Sequence, residues 1–155
     1  MKSFPVTELS LSDSDTSALV EYFYLNKEKI INNGWSGLNY LLINDYPIEL
    51  QRIIDIINPT YFEQAYFYSN NDNVKPHIDK RRRTVISIPL NDPVVPTKFA
   101  DGDVYYTGPT VFNTQLEHWV ENPGIFRLFV QIELSHSLSI EECYNLYQKN
   151  ELLVG

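Results

Sequence analysis

From residue 60 onward the chain breaks into short β-branched and aromatic runs, and the turn clusters between them read as too short for crossover helices. The runs are 61–68 (YFEQAYFY), 83–90 (RTVISIPL), 103–106 (DVYY), 116–121 (LEHWVE) and 125–133 (IFRLFVQIE). Between them lie SNNDNVKP, NDPVVPT, ADG and ENPG, built from residues that punctuate strands. Parallel strands need connections of about a dozen residues or more. The texture therefore predicts an antiparallel sandwich or small jelly roll, mainly β with flanking helices.

The first sixty residues read differently. SDSDT at 12–16 offers N-cap oxygens. A helix is predicted from there to about Ile31, with Leu19, Tyr22, Phe23 and Ile30 as its buried stripe. Lys27 and Lys29 would sit in its last turns, and Asn32-Asn33-Gly34 would stop it. Residues 38–44 (LNYLLIN) read as a short buried strand. A second helix is expected from Pro47, carrying Leu50, Ile53, Ile54 and Ile57 at helical spacing and stopping before Pro59. Ser139 followed by Glu142 forms a capping box for a last helix. With 155 residues, one domain is expected over 1–155: a helical support (1–60), a β core (61–133) and a C-terminal helix (139–150).

Charge and composition exclude several classes. Twelve Lys and Arg face twenty Asp and Glu, a formal net charge of −8, which repels phosphate backbones and argues against nucleic acid as partner. A hydrophobic share of 43% excludes a disordered chain. The one cysteine, Cys143, forms no intramolecular disulfide and fits a reducing compartment. The N-terminus MKSFPVTELSLSDSD has no apolar signal region, and no run approaches a membrane span. A cytoplasmic protein with no membrane partner is expected.

The chemistry concentrates in four residues. His77 and Asp79 stand at i and i+2, so on an extended segment they point to one side. His118 follows 39 residues after Asp79, on a different predicted strand. Two imidazoles and one carboxylate on one face of a metal leave the opposite face open, the arrangement of non-haem Fe(II) oxygenases. Taken singly, His77 and Asp79 could be a loop ion pair, and His118 a half-buried strand histidine. Arg127 adds to the metal reading. Asn122-Pro123-Gly124 is a turn signal, so the strands around His118 and Arg127 are expected to pair as a hairpin. Alternation puts Arg127, Phe129 and Gln131 on one face, and Phe126, Leu128, Val130 and Ile132 on the other. An arginine in so apolar a strand needs an anionic partner. No acidic neighbour on that face is expected to supply it; a bound dicarboxylate would.

In order and spacing, His77-x-Asp79, His118 and Arg127 resemble the Fe(II)/2-oxoglutarate-dependent oxygenase superfamily, closest to its prolyl-hydroxylase-like branch, over about residues 61–133. The resemblance implies a double-stranded β-helix, a cupin-like jelly roll. It implies Fe(II) on His77, Asp79 and His118 as the catalytic and metal residues. It also implies 2-oxoglutarate chelating that iron, with its far carboxylate on Arg127, and O₂ as the third reactant. Tyr68 stands where that branch often has a pocket tyrosine, and Ser87 could hydrogen-bond the cosubstrate. The family often has a tyrosine where this chain has Pro89. The implied function is a dioxygenase hydroxylating an unactivated C–H bond. Asp79 argues against the halogenating branch. Glu133, where the nucleic-acid dealkylating branch has a second arginine, argues against that one. The substrate is then a protein side chain, prolyl-like, or a free amino acid or other small metabolite.

Several residues have weaker claims. In the run Lys80-Arg81-Arg82-Arg83, the first two are expected to be solvated. Arg82 or Arg83 is a candidate for contacting an anionic substrate at the pocket mouth. Asn113 is a further substrate candidate, and loops 69–76 and 107–115 would supply the grip. Trp119 is assigned to packing, His136 to the surface, and Asp101-Gly102-Asp103 to a turn. The alternatives to an oxygenase are a non-catalytic β-sandwich binding module and a cupin-type Zn or Mn enzyme.

Overall fold

The computed structural model describes residues 1–33, 38–92 and 95–154. In chain order the elements are β1 (Ser3–Pro5), α1 (Asp13–Leu25), β2 (Ile31–Asn33), β3 (Leu38–Leu42), α2 (Ile48–Ile56), β4 (Phe62–Asn70) and β5 (Val74–His77). They continue with β6 (Thr84–Pro89), β7 (Thr97–Phe99), β8 (Gly102–Val104), β9 (Thr110–Asn113), β10 (His118–Val120), β11 (Arg127–Leu134) and α3 (Ile140–Gln148). The strands form a seven-stranded sheet, ordered β1-β9-β6-β11-β4-β3-β2, and a four-stranded sheet, ordered β5-β10-β7-β8. Each of these pairings is antiparallel, as the short spacers require.

Strand β11 shows how the large sheet divides the molecule. Leu128, Val130, Ile132 and Leu134 are buried in the main core, which the three helices cover. Burying each such side chain is worth roughly 1.5–3 kcal/mol. Phe67 of β4 shares that side and packs against Tyr22 and Phe23 of α1, ring centroids 5.7 and 5.9 Å away. The other face carries Arg127, Phe129 and Gln131: Arg127 and Gln131 line a cavity also walled by Phe99 and His118 of the small sheet, and Phe129 packs against Tyr68 and Tyr106. The alternation expected from the residue pattern is the one observed.

Other expectations need correction. Helix α1 ends at Leu25 rather than Ile31, because Asn26 Nδ2 bonds the Tyr22 carbonyl at 2.8 Å and closes the last turn. Lys27–Lys29 form a separate 3-10 turn, and Ile31–Asn33 pair with β3. Gly34, part of the predicted stop, lies outside the described residues. Ser12 does cap α1, accepting from the Asp15 N–H at 3.0 Å. Residues 1–60 are thus not a purely helical support: β1, β2 and β3 extend both edges of the large sheet. Pro47 precedes α2 as its N-cap residue, and Leu50, Ile53, Ile54 and Ile57 are buried. The segments 69–76 and 107–115, expected as loops, contain β5 and β9, and β7 starts at the end of the NDPVVPT turn. Residues 93 and 94 of that turn lie outside the described residues.

The predicted hairpin is absent. Strand β10 pairs with β5 and β7, whereas β11 pairs with β4 and β6. The segment between them is a corner between the two sheets. Asn122 Oδ1 accepts from the Gly124 and Ile125 N–H groups (3.0 and 2.8 Å), and its Nδ2 donates to the Ile125 carbonyl at 2.8 Å. Gly124, at φ +110°, takes the left-handed conformation this corner needs. Arg127 and His118 therefore belong to different sheets and meet at the cavity between them. Among the described residues, no helix is long and apolar enough to cross a membrane.

Candidate metal centre and the cavity behind it

His77 closes β5 and His118 opens β10, and the two are register partners in the small sheet. Asp79 follows His77 by two residues, held by its N–H to the Thr114 carbonyl at 3.0 Å. The three residues offer ligand atoms that all lie within 4.8 Å of one another. Each imidazole Nδ1 faces a carbonyl two residues earlier: Lys75 O at 2.6 Å for His77, and Leu116 O at 2.8 Å for His118. A carbonyl only accepts, so Nδ1 carries a hydrogen and Nε2 is the atom each ring would offer a cation.

The charges are set for the same task. His77 Nε2 lies 3.3 Å from Asp79 Oδ1, and that hydrogen bond raises the His77 pKa above the usual histidine value. Burial lowers that of His118. Burial alone would raise Asp79, but the His77 hydrogen bond and the Arg82 guanidinium outweigh it and hold the carboxyl at about 2. The carboxylate is ionised and His118 is readily neutral, as metal ligands must be.

Arg127 lies in the same cavity and is 1% exposed. Its Nη1 donates to Asn70 Oδ1 at 3.1 Å, while Nε and Nη2 are buried with no hydrogen-bond partner. The guanidinium carbon sits 5.0 Å from the Phe129 ring centroid and 5.6 Å from that of Tyr106. Leaving buried charged donors unpaired costs a few kcal/mol. Glu133 does share the Arg127 face, contrary to expectation, but it is taken up by Arg82, Tyr66 and Gln64. The two free N–H directions thus form a fork for an anion such as a carboxylate. Hydroxyls surround it. Tyr68 stacks on Phe129 with centroids 4.8 Å apart and shares the cavity wall with Ser87 and Tyr106. Burial keeps the Tyr68 hydroxyl protonated. Tyr106 in turn pairs with the Thr97 hydroxyl.

The weaker candidates part ways. Arg82 reaches the cavity, but its side chain binds Asp79, Tyr66 and Glu133 rather than standing free for a substrate. Arg83 turns away and donates to the Ser137 carbonyl at 3.2 Å. Asn113 borders the cavity, yet its amide donates to the Met1 carbonyl (3.2 Å) and accepts from the Gln115 N–H (3.0 Å). Trp119 also borders the cavity, with Nε1 donating to Glu121 at 3.3 Å. Lys80, Arg81 and His136 are exposed. Asp101 and Asp103 flank Gly102 and pair with Lys2 and Lys98. The residues missed from sequence are Tyr106 and Thr97, and neither left a signal. Arg82 was singled out, but as a substrate contact rather than as the partner of Asp79 three positions earlier.

No protein-family description and no curated protein sequence matches the chain. Solved structures do. A prolyl-4-hydroxylase from Pseudomonas putida aligns at TM-score 0.60 and 16% identity, over 83% of this chain and 89% of its own. A viral collagen prolyl hydroxylase from Paramecium Bursaria Chlorella virus-1, in complex with 2-oxoglutarate, aligns at 0.59 and 13%, over 86% and 95%. A non-haem α-ketoglutarate-dependent epimerase of nogalamycin biosynthesis aligns at 0.61 and 9%, over 82% and 76%. Two antiparallel sheets around one cavity give this chain the double-stranded β-helix fold, the fold shared by these prolyl hydroxylases and the α-ketoglutarate-dependent epimerase.

Proposed function

We propose that the chain is an Fe(II)- and 2-oxoglutarate-dependent dioxygenase that hydroxylates an unactivated C–H bond. His77, Asp79 and His118 would hold the iron, and Arg127 the far carboxylate of 2-oxoglutarate. One observation carries this reading: a fully buried guanidinium with two unpartnered N–H groups lines the same cavity as three clustered metal-ligand atoms. A plain binding module or a cupin-type Zn or Mn site would not account for that cation.

When bound, iron and 2-oxoglutarate supply, with O₂, the oxidising power that replaces C–H by C–O. The protein's own part is ligation, orientation and dryness. The two imidazoles offer Nε2 from paired strands, and Asp79 supplies the one negative charge. Three protein donors leave positions open for a chelating cosubstrate and O₂. Arg127 would fix the long axis of the dicarboxylate, Ser87 and Tyr68 would offer it hydroxyls, and Phe99 and Phe112 keep the inner wall apolar. The substrate we favour is a protein side chain, prolyl-like, or a free amino acid or small metabolite, reaching the metal from the solvent side of His77 and Asp79. That side forms a second groove with Tyr40, Tyr66 and Ile78.

Anaerobic addition of Fe(II) and then 2-oxoglutarate tests the reading. A visible charge-transfer band is expected, followed by slow succinate release once air is admitted. Metal uptake without 2-oxoglutarate binding would instead favour the binding-module alternative.

A further inference from the structure

Asp79 has two carboxylate oxygens, and the structure uses them differently. Oδ1 faces His77 Nε2 at 3.3 Å, on the side of the metal cluster. Oδ2 is held by Arg82 Nε at 2.8 Å. Arg82 is itself fixed from three sides. Its Nη1 donates to the Tyr66 hydroxyl and, at 3.3 Å, to Glu133 Oε1. With the Gln131 amide oxygen turned inward, that oxygen accepts from Nη1 at 2.7 Å and Nη2 at 3.3 Å. Tyr66 passes its own hydrogen to Glu133 Oε1 at 2.9 Å, and Gln64 donates to Glu133 Oε2 at 2.8 Å. The backbone is tied as firmly: Thr114 Oγ1 and Gln115 Nε2 both donate to the Arg82 carbonyl, at 2.7 and 3.0 Å.

We infer that Arg82 is a positioning residue that keeps Asp79 a one-oxygen ligand. This rests on the metal reading above and deepens it. A carboxylate can bind a cation through one oxygen or two. Here the second oxygen already accepts a charge-assisted hydrogen bond, so moving it onto the metal would strip a buried guanidinium of its main partner. The consequence lies in the open face. A two-oxygen Asp79 would occupy four coordination positions with protein atoms, and a chelating 2-oxo acid plus O₂ need three of six. The clamp therefore protects the cosubstrate's position rather than the metal's hold on the protein.

That division makes the inference testable without turnover. Mn(II) affinity, and the 2-oxoglutarate affinity of the Mn(II)-bound protein, would be measured for the wild type, Arg82→Gln and Arg82→Lys. For Arg82→Gln we expect Mn(II) affinity within about threefold of wild type but 2-oxoglutarate affinity down tenfold or more. Arg82→Lys, which can still reach Oδ2, should recover part of the loss. Glu133→Gln, which loosens Arg82 without touching Asp79, should show the same split in weaker form and serves if Arg82→Gln does not fold. Equal losses of metal and 2-oxoglutarate would reduce Arg82 to a general structural role and overturn the inference. So would an unchanged 2-oxoglutarate affinity. A wild-type protein that binds Mn(II) but never 2-oxoglutarate would instead sink the oxygenase reading itself.

Discussion

His118 stands directly opposite His77 in the β5–β10 ladder, with their ring centroids 4.4 Å apart. The cross-strand register thus sets the spacing of two of the three metal donors. A slip of one residue would turn one imidazole to the other face of the sheet. We expect His118→Ala to reduce metal affinity at least about a hundredfold, since the two remaining donors come from one short segment. Mn(II) titration followed by calorimetry would check it, with thermal unfolding of the metal-free protein as the control for folding.

Arg127 offers a separate test, because its burial is costly to the ligand-free chain. Arg127→Met keeps the bulk while removing the unpaired donors at Nε and Nη2. We expect the variant to bind metal normally, to lose 2-oxoglutarate binding, and to be no less stable than wild type, with a gain of up to about 2 kcal/mol. Urea unfolding gives the stability. A loss beyond about 2 kcal/mol would mean that the guanidinium is satisfied within the protein and needs no anion.

The outcome for these residues explains what was legible in the sequence. The pairing of His77 with Asp79 follows from strand geometry alone, and the burial of Arg127 follows from β11's alternation of charge with Phe, Val and Ile. The place where Arg127 meets His118 did not follow. A turn signal reports that the chain bends, and the same Asn-Pro-Gly serves a hairpin or a corner between sheets. Strands of three or four residues, such as β5, β7 and β9, carry too few alternations to stand out from turns. Arg82 was misread for another reason: its charge was visible, but Glu133, Tyr66 and Gln131, which engage it, lie 16 to 51 residues away in sequence.

Acid should expose Asp79. Its carboxyl titrates at about 2 in the folded protein, below the ordinary aspartate value near 3.8. A depressed folded-state pKa stabilises the fold above the unfolded value, and that contribution is lost as pH falls through the folded one. Between pH ~4 and ~2 the metal-free protein should therefore lose about 2 kcal/mol that Asp79→Asn does not lose. Urea midpoints of both proteins at pH 5 and pH 2.5 would show it. Parallel acid profiles would mean that the His77 and Arg82 contacts do not stabilise the charged form.

The corner at Asn122 decides whether the two halves of the site face each other. Asn122 is 6% exposed, and its side chain makes three hydrogen bonds to the backbone of Gly124 and Ile125, while its own N–H donates to Asn73 Oδ1 at 2.7 Å. Asn122→Ala removes those three hydrogen bonds from the corner, at an expected cost of about 1–2 kcal/mol. The effect should reach further than stability. His118 lies before the corner and Arg127 after it, so loosening the corner changes the distance between metal and anion fork while sparing each. We expect the variant, studied well below its melting temperature, to keep Mn(II) affinity and to bind 2-oxoglutarate at least fivefold more weakly. Butyrate, which offers the fork a carboxylate and has no group for the metal, should bind alike to variant and wild type. Loss of 2-oxoglutarate and butyrate binding by the same factor would place the damage in Arg127 itself and not in the spacing that the corner maintains.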